Sequence, residues 1–308
     1  MSHPLNHGLR RTAAALAGAA LVLGLAAACG DDDPATDDVS SDSTDSAEEP
    51  TDAAPPTPSE PAGTPTDIEV SVVPVYYVGD TPQGDALFRE FSQASGIDPL
   101  VASAAAVTAG DPVDPDYRTP WPRGRFVSVV ETSDAIVVEV PEASWLEADD
   151  LDAELAELAV QQLVYSLQGT IGKRLPLRVE YDGQPAPTLL GVDASAGLTA
   201  KPELDVLALV NVTEPAEGTT VGGTFTANGR ASSFEATVPW RIEDSTGEVV
   251  LTGFSTADGW LEKLYPWETE VDVSSLAPGS YTFIAATDDP SAGEGGGPTE
   301  DSKRITVE

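Results

Sequence analysis

The sequence predicts an α+β domain, a small sheet with helices on one face, followed by an all-β sandwich and preceded by a long unstructured lead. Three observations carry this. Gly30 to Asp67 holds twelve acidic residues, no Lys or Arg, and almost no large apolar side chain, so it cannot offset the entropy of ordering. From Ile68 to Tyr181, strand-like and helix-like periodicities alternate. Beyond Pro202 only strand-like runs remain, separated at regular intervals by turn residues.

In the first folded part, Ile68 to Val78 is rich in β-branched and aromatic residues and reads as a strand, with Pro74 at an edge or bulge. Asp85 to Gln93 fits either a short strand or a helical turn. Asp98-Pro99 opens a helix, Asp as N-cap and Pro in the first turn, and Gly110-Asp111-Pro112 stops it. Pro112 to Pro122 is a proline-rich loop carrying Tyr117 and Trp121. Arg125–Val130 and Ala135–Val140 alternate apolar and polar around a Glu131–Asp134 turn, the pattern of a hairpin. Leu151, Leu155, Ala159, Leu163 and Leu167 recur every four residues, and acidic residues crowd the start of that helix, where the macrodipole favours anions. Leu177–Tyr181 is a last strand. Strand, helix, hairpin, helix, strand is an α+β arrangement.

Gly191 to Pro202 is small and polar and reads as a linker. Strands follow at about Val206–Thr213, Thr224–Ala231, Thr237–Glu243, Glu248–Thr256, Glu268–Val273, Ser280–Thr287 and Lys303–Val307. Seven short strands in about 100 residues are the signature of an immunoglobulin-like sandwich. The expected division is residues 1–28 as a signal segment, 29–66 as an acidic linker, 67–193 as the α+β domain, 194–204 as a second linker and 205–308 as the sandwich.

The single cysteine, Cys29, follows Arg10, Arg11 and an apolar run from Thr12 to Ala28. A positive segment, an apolar segment and small residues before a cysteine form an export signal. Leu25-Ala26-Ala27-Ala28-Cys29 resembles the lipobox of bacterial lipoproteins. That resemblance implies a diacylglyceryl group on Cys29, a chain that begins there, and a membrane partner reached through the lipid on the extracytoplasmic face of the cell membrane. The acidic stretch would then act as a tether of roughly 30–40 Å.

Charge and missing side chains narrow the chemistry. The 308 residues carry a formal charge of −37, which repels nucleic acid. Both histidines, His3 and His7, precede Cys29, so a chain beginning at Cys29 has no imidazole for triad catalysis or zinc. No phosphate loop or dinucleotide fingerprint is present; the glycine run at 293–297 leads into Pro298, not a helix. We expect no cofactor, no metal site and no catalytic residue. Carboxylate-dependent hydrolysis of wall polymers is the competing class; two carboxyl groups about 5–10 Å apart across a groove would mark it. A clamp-like solute-binding protein would need paired α/β lobes that the elements do not supply. Candidate contacts to an envelope protein or wall polymer are Tyr117 and Trp121 in the proline-rich loop, and Trp260, Tyr265 and Trp267 beside strand ends. Trp240 belongs to the same aromatic set. Against each stands simple core packing. Asp288, Asp289, Glu294, Glu300 and Asp301 surround the glycine run; calcium is the ligand such carboxylates would hold outside a cell, but their spacing fits no known calcium loop and they read as a solvated acidic loop.

Two family resemblances complete the reading. Val75 to Asp80, the hairpin at Phe126 to Val140, and Glu157 to Leu167 leading into Val179 to Gln184 resemble the GerMN domain of spore-germination and actinobacterial envelope lipoproteins. Val212 to Val221, Gly229 to Ala231, Phe234 to Ile242 and Gly253 to Ala257 resemble the immunoglobulin-like domain of bacterial spore-germination proteins, which often follows a GerMN domain. Together they imply an extracytoplasmic binding or scaffold protein without catalytic residues, in spore-germination-like or envelope assembly or beside a membrane sensor.

Overall fold

A computed structural model describes residues 70–290, 293, 294 and 296–308; Cys29, the signal segment, the acidic linker and both histidines lie outside them. Residues Thr64–Glu308 group as one compact unit, and the account below concerns it alone.

The first layer is a twelve-residue hairpin. Strand β1 (Val70–Thr81) pairs antiparallel with β2 (Gly84–Ser95), and a short β3 (Tyr117–Arg118) adds to the far end of β1. The ambiguous Asp85–Gln93 segment is therefore strand; its alternation was hidden because both faces of the sheet are covered here. Val73, Val75 and Tyr77 face one core, Tyr76 and Val78 another. Pro74 sits opposite Phe91 of β2 on one side of β1 and meets Gly169 of helix α2 (Ala153–Ile171), not a third strand, on the other. Two residues on, the free Tyr76 N–H donates to Ser166 Oγ at 2.9 Å, a bond that a proline cannot make.

Helix α1 (Pro99–Ala109) is capped as its sequence predicts. Asp98 Oδ1 accepts from the Leu100 and Val101 N–H groups, and Gly110 closes the helix at φ 75°. Helix α2 is capped by Asp152, which accepts from Leu155 N at 2.8 Å, and by Gly172 at φ 65°. It connects β5 (Ile136–Glu139) to the parallel β6 (Leu177–Tyr181) in a second sheet of order β4-β5-β6-β7, with β4 at Ser128–Glu131 and β7 at Gln184–Pro185. Both helices and strands β4, β5 and β6 share one core. A small hairpin, β8 (Thr188–Leu189) and β9 (Val192–Asp193), ends this part.

The segment read as a linker is packed. Ala194 and Leu198 are buried, Gln161 Nε2 donates to Thr199 O, and the Tyr165 hydroxyl donates to Lys201 O at 2.6 Å. The short helix α3 (Glu203–Val206) then brings Val206 and Leu207 onto Leu87, with Ala208 N donating to Leu87 O. Small, polar residues mark this segment because it fits closely against α2.

The sandwich has a three-stranded sheet, β10-β12-β15, and a five-stranded sheet, β11-β17-β16-β13-β14. The strands are β10 (Val210–Glu214), β11 (Thr219–Val221), β12 (Thr224–Ala231), β13 (Thr237–Asp244), β14 (Val249–Thr256), β15 (Tyr265–Asp272), β16 (Gly279–Ala286) and β17 (Glu300–Val307). The seven expected strands are all present; β11, three residues parallel to β17, is the addition. Val212, Ala227 and Trp267 from one sheet meet Ile242, Phe283 and Ile305 from the other in a common core.

Gly229 shows how closely these strands pack. A Cβ there would fall 1.8 Å from the Asn211 carbonyl oxygen and 3.0 Å from the Trp267 ring. Gly229→Ala is therefore expected to destabilise the chain by about 2–3 kcal/mol in urea unfolding. Gly222→Ala, whose Cβ would meet nothing nearer than 3.9 Å, should stay within about 0.5 kcal/mol.

Candidate functional site

The α+β part and the sandwich meet around one buried ammonium. Strand β17 alternates, with Asp301, Lys303, Ile305 and Val307 buried and the residues between them more exposed. Ile305 and Val307 enter the sandwich core. Asp301 and Lys303 point the same way but lie past its end, against the α+β part. Lys303 Nζ donates to Asp114 Oδ2 at 2.6 Å, Asp301 Oδ1 at 2.8 Å and the Tyr117 oxygen at 2.6 Å, and lies 4.5 Å from the centre of the Tyr117 ring. The Tyr117 hydroxyl donates to Asp301 Oδ1 at 2.6 Å. Lys303 and Asp301 are each 3 % exposed and Asp114 is 1 % exposed.

Local chemistry presents these groups. Asp114 is held by its N–H, which donates to Glu90 Oε1 on β2, and its own Oδ1 accepts from Asp116 N in a tight turn. Tyr117 pairs with Gly79 in β3, and a Cβ on Gly79 would lie 2.7 Å from the Phe88 ring; the missing side chain lets Phe88 and Tyr117 stack at 5.0 Å. The remaining oxygen of Asp301 accepts from Val212 N at 2.6 Å and Asn211 Nδ2 at 3.0 Å, which ties β10 to the same cluster. A further strip is centred on Glu203, whose Oε2 accepts from Arg230 and from Leu264 N.

Burial works against the Lys303 charge, but Asp301 and Asp114 outweigh it and raise its pKa. Burial raises the Asp114 carboxyl, with Lys303 opposing, and raises Glu90, with the Asp114 and Val113 N–H groups opposing. Burial, followed by the charges of Asp301 and Asp114, pushes the Tyr117 hydroxyl well above its ordinary value.

Above this cluster opens a groove of about 560 Å³ whose rim includes Asp80, Asp116, Arg118 and Glu300. Each carboxylate in it has a partner. Arg118 bridges Asp80 and Asp85, Arg241 holds Glu300 in a fork at 2.8 and 2.9 Å, Ser302 donates to Asp116, and Asp301 faces Lys303. Among the described residues, no group of three or more His, Cys, Asp or Glu side chains is placed to hold a metal ion.

The aromatic candidates separate. Trp121 and Trp267 are corrected from surface contacts to core residues. Trp121 is 4 % exposed, donates to Ala159 O and packs with Phe126 and Trp145, while Trp267 is 2 % exposed over Gly229. Tyr117 is part of the buried cluster. Trp240 is half-buried against Gly253 and Phe283. Trp260 and Tyr265 reach the surface together with Phe234, which packs edge-on to Trp260 at 5.1 Å. Beside them Leu261 is 65 % exposed at φ 77°, a conformation natural to glycine. Asp301 leaves the solvated loop in which the sequence placed it, because strand β17 begins at Glu300 and turns it inward. Asp114 and Lys303 were missed; the signal for Lys303 was its even spacing with Ile305 and Val307.

Lys303→Met should cost about 3–5 kcal/mol in urea unfolding, since it leaves two buried carboxylates without their cation. The native pKa of Lys303 exceeds the ordinary 10.5, so its stabilisation is complete below that value and is lost as pH rises through the native pKa. Tyr117, raised above 10.0, acts in the same direction. Melting temperature should therefore fall as pH rises above about 10, less steeply in Lys303→Met than in the parent. Leu261→Gly relieves the turn and should gain about 1 kcal/mol in the same unfolding measurement.

A comparison with curated protein sequences gives no match. Among solved structures, the chain is similar to CopC from Methylosinus trichosporium OB3b, with 22 % identity over 32 % of this chain and 93 % of that one and a TM-score of 0.22. It is similar to the tandem GerMN domains of the sporulation protein GerM from Bacillus subtilis, with 12 % identity over 67 % of this chain and 62 % of that one and a TM-score of 0.36. Residues 209–294 match the family Gmad2, the immunoglobulin-like domain of bacterial spore germination. That match spans β10 to β16 of the sandwich and stops short of β17, so this segment is similar to a spore-germination-associated immunoglobulin-like domain.

Proposed function

We propose that the protein is a lipid-anchored, extracytoplasmic binding or scaffold protein of the cell envelope that presents two joined, non-catalytic parts to a partner. The match of residues 209–294 to a germination-associated immunoglobulin-like domain carries this reading. Two further features support it. The groove carboxylates are each held by a cation or a hydroxyl, and Asp116 with Ser302, like Asp301 and Asp114 with Tyr117 and Lys303, ties the two parts together. Leu261 stands exposed at a positive φ beside Phe234, Trp260 and Tyr265, an apolar surface group of the kind that anchors partners.

The anchor follows from the sequence around Cys29. Among the described residues no helix is long and apolar enough to cross a membrane, and the acyl group supplies attachment without one. Cys29→Ala is expected to release the folded protein into the medium, as read by membrane fractionation with circular dichroism of the released fraction. Retention of that variant in the membrane, or an intact mass showing an unmodified thiol at position 29 in the parent, overturns the anchor.

A further inference from the structure

We infer that β14 is a docking edge for an extended peptide with basic flanks, which adds as a strand to the five-stranded sheet. A sheet edge exposes unpaired N–H and C=O groups, and soluble proteins guard such edges with charge, proline, brevity or cover. Among the described residues every other edge carries one of these guards, β8 and β9 by having two residues each. Strand β2 has Asp85, Arg89 and Glu90, and β15 has Pro266, Glu268, Glu270 and Asp272. Strand β4 has four residues, β11 three, and β3 and β7 two each. Strand β10 is covered, with Val212 N donating to Asp301 and Asn211 Nδ2 to Asp301 and the Arg89 carbonyl.

Strand β14 lacks charge, proline and brevity, and its bond to β15, from Ser255, comes from its inner face. Its eight residues, VVLTGFST, include no charge and no proline, in a chain of net charge −37. It pairs only with β13 and ends its sheet. Its inner side chains are occupied, Gly253 by the Trp240 ring and Ser255 by a bond from its hydroxyl to Glu268 O at 2.7 Å. Its outer ones are open: Thr252 and Thr256 are exposed, and Phe254 is 69 % exposed next to Pro239. An added strand finds main-chain partners along the edge and an aromatic anchor on one face, the two components of strand-addition recognition. Charge selects the occupant. Exposed Glu248 and Asp258 lie just beyond the two ends of the strand, so lysine or arginine flanks complement it, while a second copy of this acidic chain does not.

The inference rests on the binding reading above but not on the lipid, so the Cys29→Ala result bears on the anchor alone. The test is a titration of the full chain with a synthetic peptide of alternating valine and threonine carrying two lysines at each end, followed by amide hydrogen exchange. Saturable binding is expected, with new protection confined to Val249–Thr256. Phe254→Lys, on an exposed side chain, and a peptide with glutamate flanks should each weaken binding about ten-fold. Equal binding by a proline-interrupted peptide, protection elsewhere, or no binding overturns the proposal. So does a concentration-dependent dimer that Phe254→Lys abolishes, since the occupant is then a second copy.

Discussion

A lysine ammonium sealed from water holds the α+β part and the sandwich together. Lys303 spends its donors on two carboxylates and a phenol, and all four groups are buried. An ion pair of this kind adds little net stability over a well-packed apolar patch, because desolvation absorbs most of the Coulomb gain. What it does impose is specificity. Only one placement of β17 against the 110–118 loop satisfies Asp114, Asp301 and Tyr117 together, and any sliding of the two parts strands a charge. Asp301 extends the same constraint to β10 through Val212 and Asn211.

The elements built on local signals were legible in the sequence. Asp98-Pro99 and Gly110 delimit α1, the four-residue leucine spacing finds α2, and turn residues separate the sandwich strands. What escaped was whatever depends on a neighbour distant in the chain. The 85–93 segment lacks clean alternation because Phe88 faces the helices while Leu87 faces the 206–208 segment. The 194–204 stretch has linker composition, yet it is small and polar because it must lie flat on α2.

The same limit applies to the site. Aromatic type alone cannot tell Trp260, at the surface, from Trp267, over Gly229, since the distinction lies in the residue across the sheet. Asp301 reads as part of a solvated loop and Lys303 only as the start of a strand, because nothing local announces that a second part covers them. Their phase with Ile305 and Val307 was visible, but a sequence pattern gives direction, not company. The resemblance to the germination-associated immunoglobulin-like domain succeeded where periodicity could not choose between one sandwich and another.

The order of strands in the larger sheet has a mechanical meaning. β14 is bonded to β13, β13 to β16, and β16 to β17, the strand that carries Lys303. A load applied at β14 thus crosses three antiparallel ladders before it reaches the α+β part. Along the strand direction such ladders bear force in shear, many bonds at once, so the larger sheet is a stiff path from its free edge to the joint.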